Sequence, residues 1–583
     1  MEILSTNFEE EFSSMKAAIE EADFVSVDCE FTGLGKGSTA LGAYDTPELI
    51  YATYKENVGN FLAIQVGLCT FRYSEETKSY AYKAYSCYVF PRVPQEFQGM
   101  GKTVSCIRPV YSMQTEALEL LAENSFDFTK WITHGVGYMK QCDRESIRSE
   151  LERFRQARDE NAKAAEKPHI RDGLKPKINK ILNEVQSYLQ KKDSNGEPLQ
   201  LSGLTAVERR LVKMSIEHQY GMQLFLETRA DPGGGGNRQR QVVVLHKCKT
   251  MNEYKQRSES THAQKLATLE RATGFCRVFD VLLASGKPVV GHNAMMDVLH
   301  LFKAFKGELP YSWQKFREAC HSGFLPQLFD TKLLCAQPPM KNLFGANPSL
   351  VDLQDATTKK PFSELELRIE PADSKYDCGA VECYHDAGYD AYVTGCVFIR
   401  LACYWAKFKP SADQNSLVIP WELLQGLCNK LAIARVQDVH CLDMNPLRQM
   451  VPDRAHVFLL RMCDGSLKNK DILDLFSVYG PVNINWIGPT AAWIALQRRE
   501  NVALVSKLCS SVADLSDPFE DGVEAAGMEV DAGGSQKWHL FPAVDVLKRR
   551  EEQLLLAKRV SCQNGDGHDD GGDAKRPKRE EAR

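Results

Sequence analysis

The sequence has no C-x-x-C pair, although it carries 18 Cys among 583 residues. Single thiols scattered through a long chain point to a reduced, intracellular protein rather than a disulfide scaffold or a zinc ribbon. Also absent is any run of the roughly 18 apolar residues that a membrane span needs. The strongest stretch, 393–405, is short and is broken by Arg400. The opening, M-E-I-L-S-T-N-F-E-E-E-F, is acidic and has no apolar centre, so it is not expected to be a secretory signal. A secreted protein and an integral membrane protein are both excluded as expectations. Net charge is small too: 72 Lys and Arg against 77 Asp and Glu leave −5. That balance does not argue against nucleic acid, because a local basic groove is sufficient. Apolar residues at 43% and charged residues at 26% match ordinary globular chains. Disorder of the whole chain is therefore not expected, and the length suggests about three to four domains.

The pattern along the chain predicts a helix over 8–22, then strands over 24–31, 61–71 and 85–90. A helix followed by closely spaced strands suggests a mixed sheet with helices packed on it. A strongly charged stretch, 148–167, leads into a compact segment at 168–246. That segment shows helical patterns at 178–189 and 205–218, then strands at 223–228 and 241–245 flanking a four-glycine tip, 233–236. It reads as a small inserted domain. Sheet-and-helix signals resume at 250–409, and a mainly helical connection is expected to about 453. A β-α-β-β-α pattern spans 456–509. After 514 the chain is polar and acidic and is not expected to fold. There are no internal repeats.

Three groups of residues carry chemistry. In V-S-V-D-C-E-F, residues two apart share one face of a strand. Asp28 and Glu30 then project together, and their mutual repulsion is relieved if a divalent cation binds there. In V-V-G-H-N-A-M-M-D, Asn293 and Asp297 are four apart and are expected on one helix face. Asp297 stands among apolar neighbours, an odd place for an unpaired charge. In Y-H-D-A-G-Y-D, Asp390 opens an apolar helix, and His385 reaches a shared site only from the loop that enters it. Each group has an ordinary alternative: a solvent-facing strand, a capping Asn with a surface Asp, a helix-start His with a capping Asp386. Taken together, four carboxylates are hard oxygen ligands suited to Mg²⁺ or Mn²⁺. A His beside them can take a proton from attacking water. A zinc site at Cys378, Cys383 and His385 is not expected, because the spacing is wrong.

D-x-E, N-x-x-x-D and H-x-x-x-x-D, in that order, resemble the DEDDh 3′→5′ exonucleases, which share an RNase H-like α/β fold. The likeness extends to the poly(A)-specific ribonuclease family. It runs through M-E-I-L-S-T-N-F, A-I-E-E-A-D-F-V-S-V-D-C-E-F-T-G, F-L-A-I-Q-V-G-L-C-T-F, Y-V-F-P, G-F-C-R-V-F-D, S-G-K-P-V-V-G-H-N, L-F-D-T-K-L-L and H-D-A-G-Y-D-A-Y-V-T-G. The resemblance implies that Asp28, Glu30, Asp297 and Asp390 hold two divalent ions, Mg²⁺ or Mn²⁺, with His385 as general base. It implies that Lys332 contacts poly(A) and that Phe31 and Asn293 line the terminal adenosine pocket. It also implies a homodimer and release of 5′-AMP from mRNA 3′ ends.

The separation of 267 positions from Glu30 to Asp297 is explained, on the same resemblance, by an inserted R-x-x-x-H-type nucleic-acid-binding domain. Here the matching stretch gives Arg209 and Lys213 without the usual His, which puts RNA contact by that motif in doubt. The C-terminal pattern resembles a reduced RNA-recognition motif, with Phe458 and Trp493 at two stacking positions. Trp486 matches a Trp that stacks on the 5′ m⁷G cap, and an exposed indole suits a cationic purine. The expected division is exonuclease 1–165 and 250–450, inserted domain 166–249, RRM-like domain 453–514 and disordered tail 515–583. K-R-P-K-R at 575–579 is consistent with nuclear import, giving a nuclear and cytoplasmic protein with no membrane partner. Two other readings stay open: a trimmer of small-RNA precursors, and a catalytically silent RNA- or cap-binding protein.

Overall fold

The computed structural model describes residues 1–35, 41–92, 97, 110–164, 167–191, 197–230, 241–321, 323–325, 327–345, 347–379, 382–409, 416–445, 452–462, 467–511 and 538–565. The four-glycine tip and the K-R-P-K-R run lie outside the described residues.

The first body of structure is a mixed sheet. Its early strands are β1 (Glu2–Ile3), β2 (Phe24–Phe31), β3 (Ala63–Ser74), β4 (Ser79–Phe90) and β5 (Val136–Gly137). After the insertion, which contributes β6 (Leu199–Leu201), β7 (Leu224–Ala230) and β8 (Gln241–Lys247), the sheet is completed by three more strands. These are β9 (Val289–Gly291), β10 (Leu328–Asp330) and β11 (Arg368–Pro371). The order is β1-β4-β3-β2-β9-β10, with β11 and β5 also on β4. β2, β3 and β4 run antiparallel, and β9 joins β2 in parallel.

β2 sits in the middle, so both of its faces are covered. Val27, Cys29 and Phe31 enter the core built with helices Phe8–Glu21, Cys276–Ser285 and Met295–Leu301. The other face carries helix Ala387–Ala406, which is apolar on nearly all sides and buried along its length. This helix contains the 393–405 stretch. It lies flush on the sheet because two glycines admit it. A Cβ on Gly67 of β3 would fall 1.7 Å from the Ala387 carbonyl oxygen, and one on Gly388 would fall 2.2 Å from Ser86 Oγ.

The insertion is a three-stranded antiparallel sheet, ordered β6-β8-β7, with helices Lys175–Gln190 and Ala206–Tyr220. Its own core includes Ile178, Val185, Val212, Ile216, Val243 and Leu245. Two helices, Gln141–Ala164 and Met251–Ala272, pack on each other at its junction with the main sheet.

The connection expected to be mainly helical instead contains a hairpin, β12 (Lys430–Ala432) with β13 (Cys441–Asp443). Its backbone is recruited by a buried carboxylate: Ala432 N donates to Asp330 Oδ2 at 3.0 Å.

The C-terminal sheet has four strands: β14 (Val457–Met462), β15 (Val482–Gly488), β16 (Ala491–Leu496) and β17 (Trp538–Pro542). Their order is β15-β16-β14-β17, all antiparallel. The expectation of disorder throughout 515–583 fails here. Trp538–Pro542 completes the sheet, and helix Ala543–Gly565 follows it directly. The acidic, polar average of the tail conceals the short run W-H-L-F-P-A-V-D-V-L. Its Leu540 enters a core with Ile472 and Phe476 of helix Asn469–Phe476, and Phe541, Val546 and Leu547 enter a second core on the other face of the sheet.

Burial on the two faces corrects both expected stacking positions. Phe458 is fully buried in the core with Ile472 and Phe476. Trp493 is 1% exposed and meets Tyr44 of the main body edge-on, with ring centroids 5.9 Å apart. Ion pairs seal the same junction. Arg454 Nε lies 2.7 Å from Asp438, Arg454 Nη2 donates to the Asp45 carbonyl oxygen at 3.1 Å, and Arg550 Nη1 pairs with Asp45 Oδ1 at 3.0 Å. Among the described residues no helix is long and apolar enough to cross a membrane.

Candidate active site

Strand alternation puts Asp28 and Glu30 on the face of β2 opposite Val27, Cys29 and Phe31, toward helix Ala387–Ala406. Helix Met295–Leu301 brings Asp297 to the same strand. Asp297 is 7% exposed, and the backbone N–H and thiol of Cys29 lie beside its carboxylate. Asp390 stands in the first turn of helix Ala387–Ala406, also buried. His385 lies in the turn before that helix, with φ at +65°. Its N–H donates to Asp390 Oδ2 at 3.0 Å. Glu30, His385 and Asp390 offer ligand atoms that all lie within 4.8 Å of one another.

These carboxylates strain against their surroundings. Burial pushes Asp28 well above the usual carboxylate range, and the neighbouring charges of Asp297, Asp390, Glu30 and Asp386 push it further. Glu30 is raised likewise, first by burial and then by Asp390 and Asp297. Burial moves Asp297 up to about 7 against the pull of N–H donors, its own and that of Cys29. Asp390 also rises to about 7, mainly through burial. Its second oxygen, Oδ1, is buried and has no hydrogen-bond partner among the described residues. A buried oxygen without a donor, beside other hard oxygen ligands, fits a divalent cation.

Asn293 does not share a helix face with Asp297. It occupies a left-handed turn, φ +53°, before helix Met295–Leu301 begins. The cause is Asp330, whose oxygens accept from the N–H groups of Asn293 (2.9 Å), Ala294 (3.2 Å), Lys332 (3.0 Å) and Ala432. One buried carboxylate therefore ties Asn293 and Lys332 to the same junction of β9, β10 and β12. Lys332 is half-buried, and burial lowers its amine from the usual lysine range. Phe31 is 8% exposed and stacks on His300, with ring centroids 4.3 Å apart. Trp486 lies in the C-terminal sheet, 41% exposed, and its indole N–H donates to Asn469 Oδ1 at 2.6 Å.

Sequence reading passed over Asp330, Gln65 and Ser86. Gln65 gave no signal within an apolar strand. Asp330 sits beside Lys332 in L-F-D-T-K, and no local signal distinguishes it. Asp386 caps helix Ala387–Ala406, accepting from Tyr389 N at 3.1 Å.

The CAF1 family ribonuclease profile matches residues 3–398, and an RNA binding domain profile matches residues 448–516. The poly(A)-specific ribonuclease PARN of Bos taurus is 31% identical over 515 residues, covering 86% of this chain and 77% of that protein. The poly(A)-specific ribonuclease PARN of Homo sapiens has the same identity and coverage. The pre-piRNA 3′-exonuclease trimmer of Bombyx mori is 27% identical over 504 residues, covering 85% of this chain and 88% of that protein. The chain belongs to the CAF1 ribonuclease family, among its poly(A)-specific ribonucleases.

Proposed function

We propose that the chain is a 3′→5′ exoribonuclease that shortens poly(A) tails of mRNA and releases 5′-AMP. The observation that carries this reading is the convergence of Asp28, Glu30, Asp297 and Asp390 with His385, in which Asp390 Oδ1 is left without a donor. Asp28 and Glu30 from β2, Asp297 from its helix and Asp390 from the next would hold two divalent ions, Mg²⁺ or Mn²⁺. Such ions supply positive charge for the phosphate and for the attacking and leaving oxygens. His385 takes a proton from the attacking water as the new P–O bond forms. The P–O3′ bond breaks, and the upstream nucleotide leaves with its 3′ oxygen, which takes a proton from solvent water to become a hydroxyl. The Asp390 bond to the His385 N–H fixes the backbone that aims the imidazole. Lys332 contacts the adenosine chain and Asn293 lines the terminal adenosine pocket, whereas Phe31, expected to line it too, is buried in the core on the other face of β2 and stacks on His300.

Trp486, with its half-exposed indole, is proposed to stack on the 5′ m⁷G cap. A homodimer and residence in nucleus and cytoplasm complete the reading.

The test uses purified protein with Mg²⁺ on 5′-labelled RNA ending in A₂₀, U₂₀ or C₂₀, with Asp28→Ala as control. Stepwise loss from the A₂₀ end alone, abolished by the substitution, is expected. Equal shortening of all three tails would remove the poly(A) assignment and favour a trimmer. RNA binding with no shortening would favour the binding-only reading.

A further inference from the structure

We infer that Gln65 and Asp386 are positioning residues for the nuclease centre: together they fix the turn that presents His385 and the helical turn that presents Asp390. The inference rests on the proposed nuclease reading and adds two residues to it.

The geometry begins with β3. Gln65 is 1% exposed and pairs in register with Glu30 on β2. A buried amide needs partners at both ends. Gln65 Oε1 accepts from Ala387 N at 2.9 Å, and its Nε2 donates to Asp386 Oδ2 at 3.1 Å. Both partners belong to the entry of the helix that carries Asp390. Asp386 is held from two more sides: Oδ1 accepts from Ser86 Oγ on β4 and from Tyr389 N of its own helix. Two strands and one helix therefore meet at a single carboxylate.

This clamp stands where the backbone most needs one. His385 holds a positive φ of +65°, a region that side chains other than glycine seldom adopt. Its N–H is tied forward to Asp390, and its carbonyl leads directly into Asp386. Gly67 and Gly388 remove the Cβ atoms that would push the turn off the sheet. The charge of Asp386 is also felt by Asp28, Glu30 and Asp390, which places it close to all three. An ordinary helix cap explains the Tyr389 bond but not the buried amide that reaches across from the strand facing Glu30.

A displacement of about 1 Å at a reacting group can lower a rate by about a hundredfold. The experiment compares full-length wild type with Asp386→Ala, Gln65→Leu and Asp386→Asn. It reads Mn²⁺ affinity by titration calorimetry and the single-turnover rate on A₂₀-tailed RNA at saturating Mn²⁺. Asp386→Ala and Gln65→Leu are expected to weaken Mn²⁺ by about fivefold and to slow the reaction by about tenfold or more, with KM for RNA little changed. Asp386→Asn keeps an acceptor for Ser86 and Tyr389, and so the helix cap, but sets an amide donor against Gln65 Nε2, so it is expected to be impaired like Gln65→Leu with a Tm near that of the wild type.

Wild-type Mn²⁺ affinity and rate in Asp386→Ala and Gln65→Leu, with only a lower Tm, would overturn the inference. Asp386→Asn at wild-type affinity and rate would overturn it too, by showing that the helix cap suffices without the bond to Gln65. If Asp386→Ala does not fold, Gln65→Leu and Asp386→Asn, each of which loses the bond between the two side chains, decide the same point. If the wild type shortens no RNA, the nuclease reading fails, and the order of Mn²⁺ affinities still decides whether the pair positions the carboxylates.

Discussion

Asp390 has two oxygens in different circumstances. One accepts the His385 N–H, and the other is buried without a donor. Asp297 and Asp390, both raised to about 7, prefer to be neutral in a folded chain that lacks a cation. In the unfolded chain each ionises near 3.8. The folded state therefore holds protons that the unfolded state has already lost. That stabilisation is complete below the unfolded value and disappears as pH rises through about 7. A bound divalent cation replaces those protons. The rise in Tm on adding Mg²⁺ should accordingly be larger at pH 8 than at pH 5.5 in a thermal melt. An equal rise at both values would mean that these carboxylates are not what the cation engages. His385→Ala should leave Mn²⁺ binding by the four carboxylates largely in place while slowing hydrolysis by about 10² to 10⁴-fold, the usual range for a lost general base. A single-turnover assay checks this, and an unchanged rate would remove His385 from its role.

At the scale of elements, the helix Ala387–Ala406 decides the geometry, because it carries Asp390 and is preceded by His385. Gly67→Ala should force that helix off β3, since the added Cβ would meet the Ala387 carbonyl oxygen. A cost of about 1–3 kcal/mol is expected from urea unfolding, together with a loss of activity. Wild-type stability would show that the helix can shift freely. The elements also show what the sequence made legible. Asp28 and Glu30 could be read together because a strand has a period of two. His385 could be placed in the entering turn because a continuous helix would have put it on the wrong side of Asp390. Asn293 could not be read correctly, because its turn is set by Asp330, 37 residues away. Gln65 was silent for the same reason: its partners, Asp386 and Ala387, are 321 and 322 residues further along. Local pattern carries no information about bonds of that span.

At the scale of the whole molecule, the segment read as a disordered tail is partly structural. β17 covers the edge of β14, and the helix after it packs on Tyr44 and Leu49 of the main body. The polar average of 515–583 hid this, because a fourth strand and one helical turn of contacts need only about ten residues. A chain ending after Ser511 would leave β14 as an open edge and uncover Leu459 and Trp493. Limited trypsin digestion should then cleave 457–511 markedly faster than in the full chain, with increased binding of a hydrophobic dye. Unchanged digestion would show that the C-terminal segment contributes nothing to that sheet. The central claim concerns how the fold brings distant carboxylates to one place. It is tested most directly by a crystal grown with Mn²⁺ and a short oligoadenylate, using anomalous scattering to find the metal. The account predicts two Mn²⁺ peaks ligated by Asp28, Glu30, Asp297 and Asp390, with the 3′ end of the RNA beside His385. Peaks elsewhere, or an RNA 3′ end distant from His385, would contradict it.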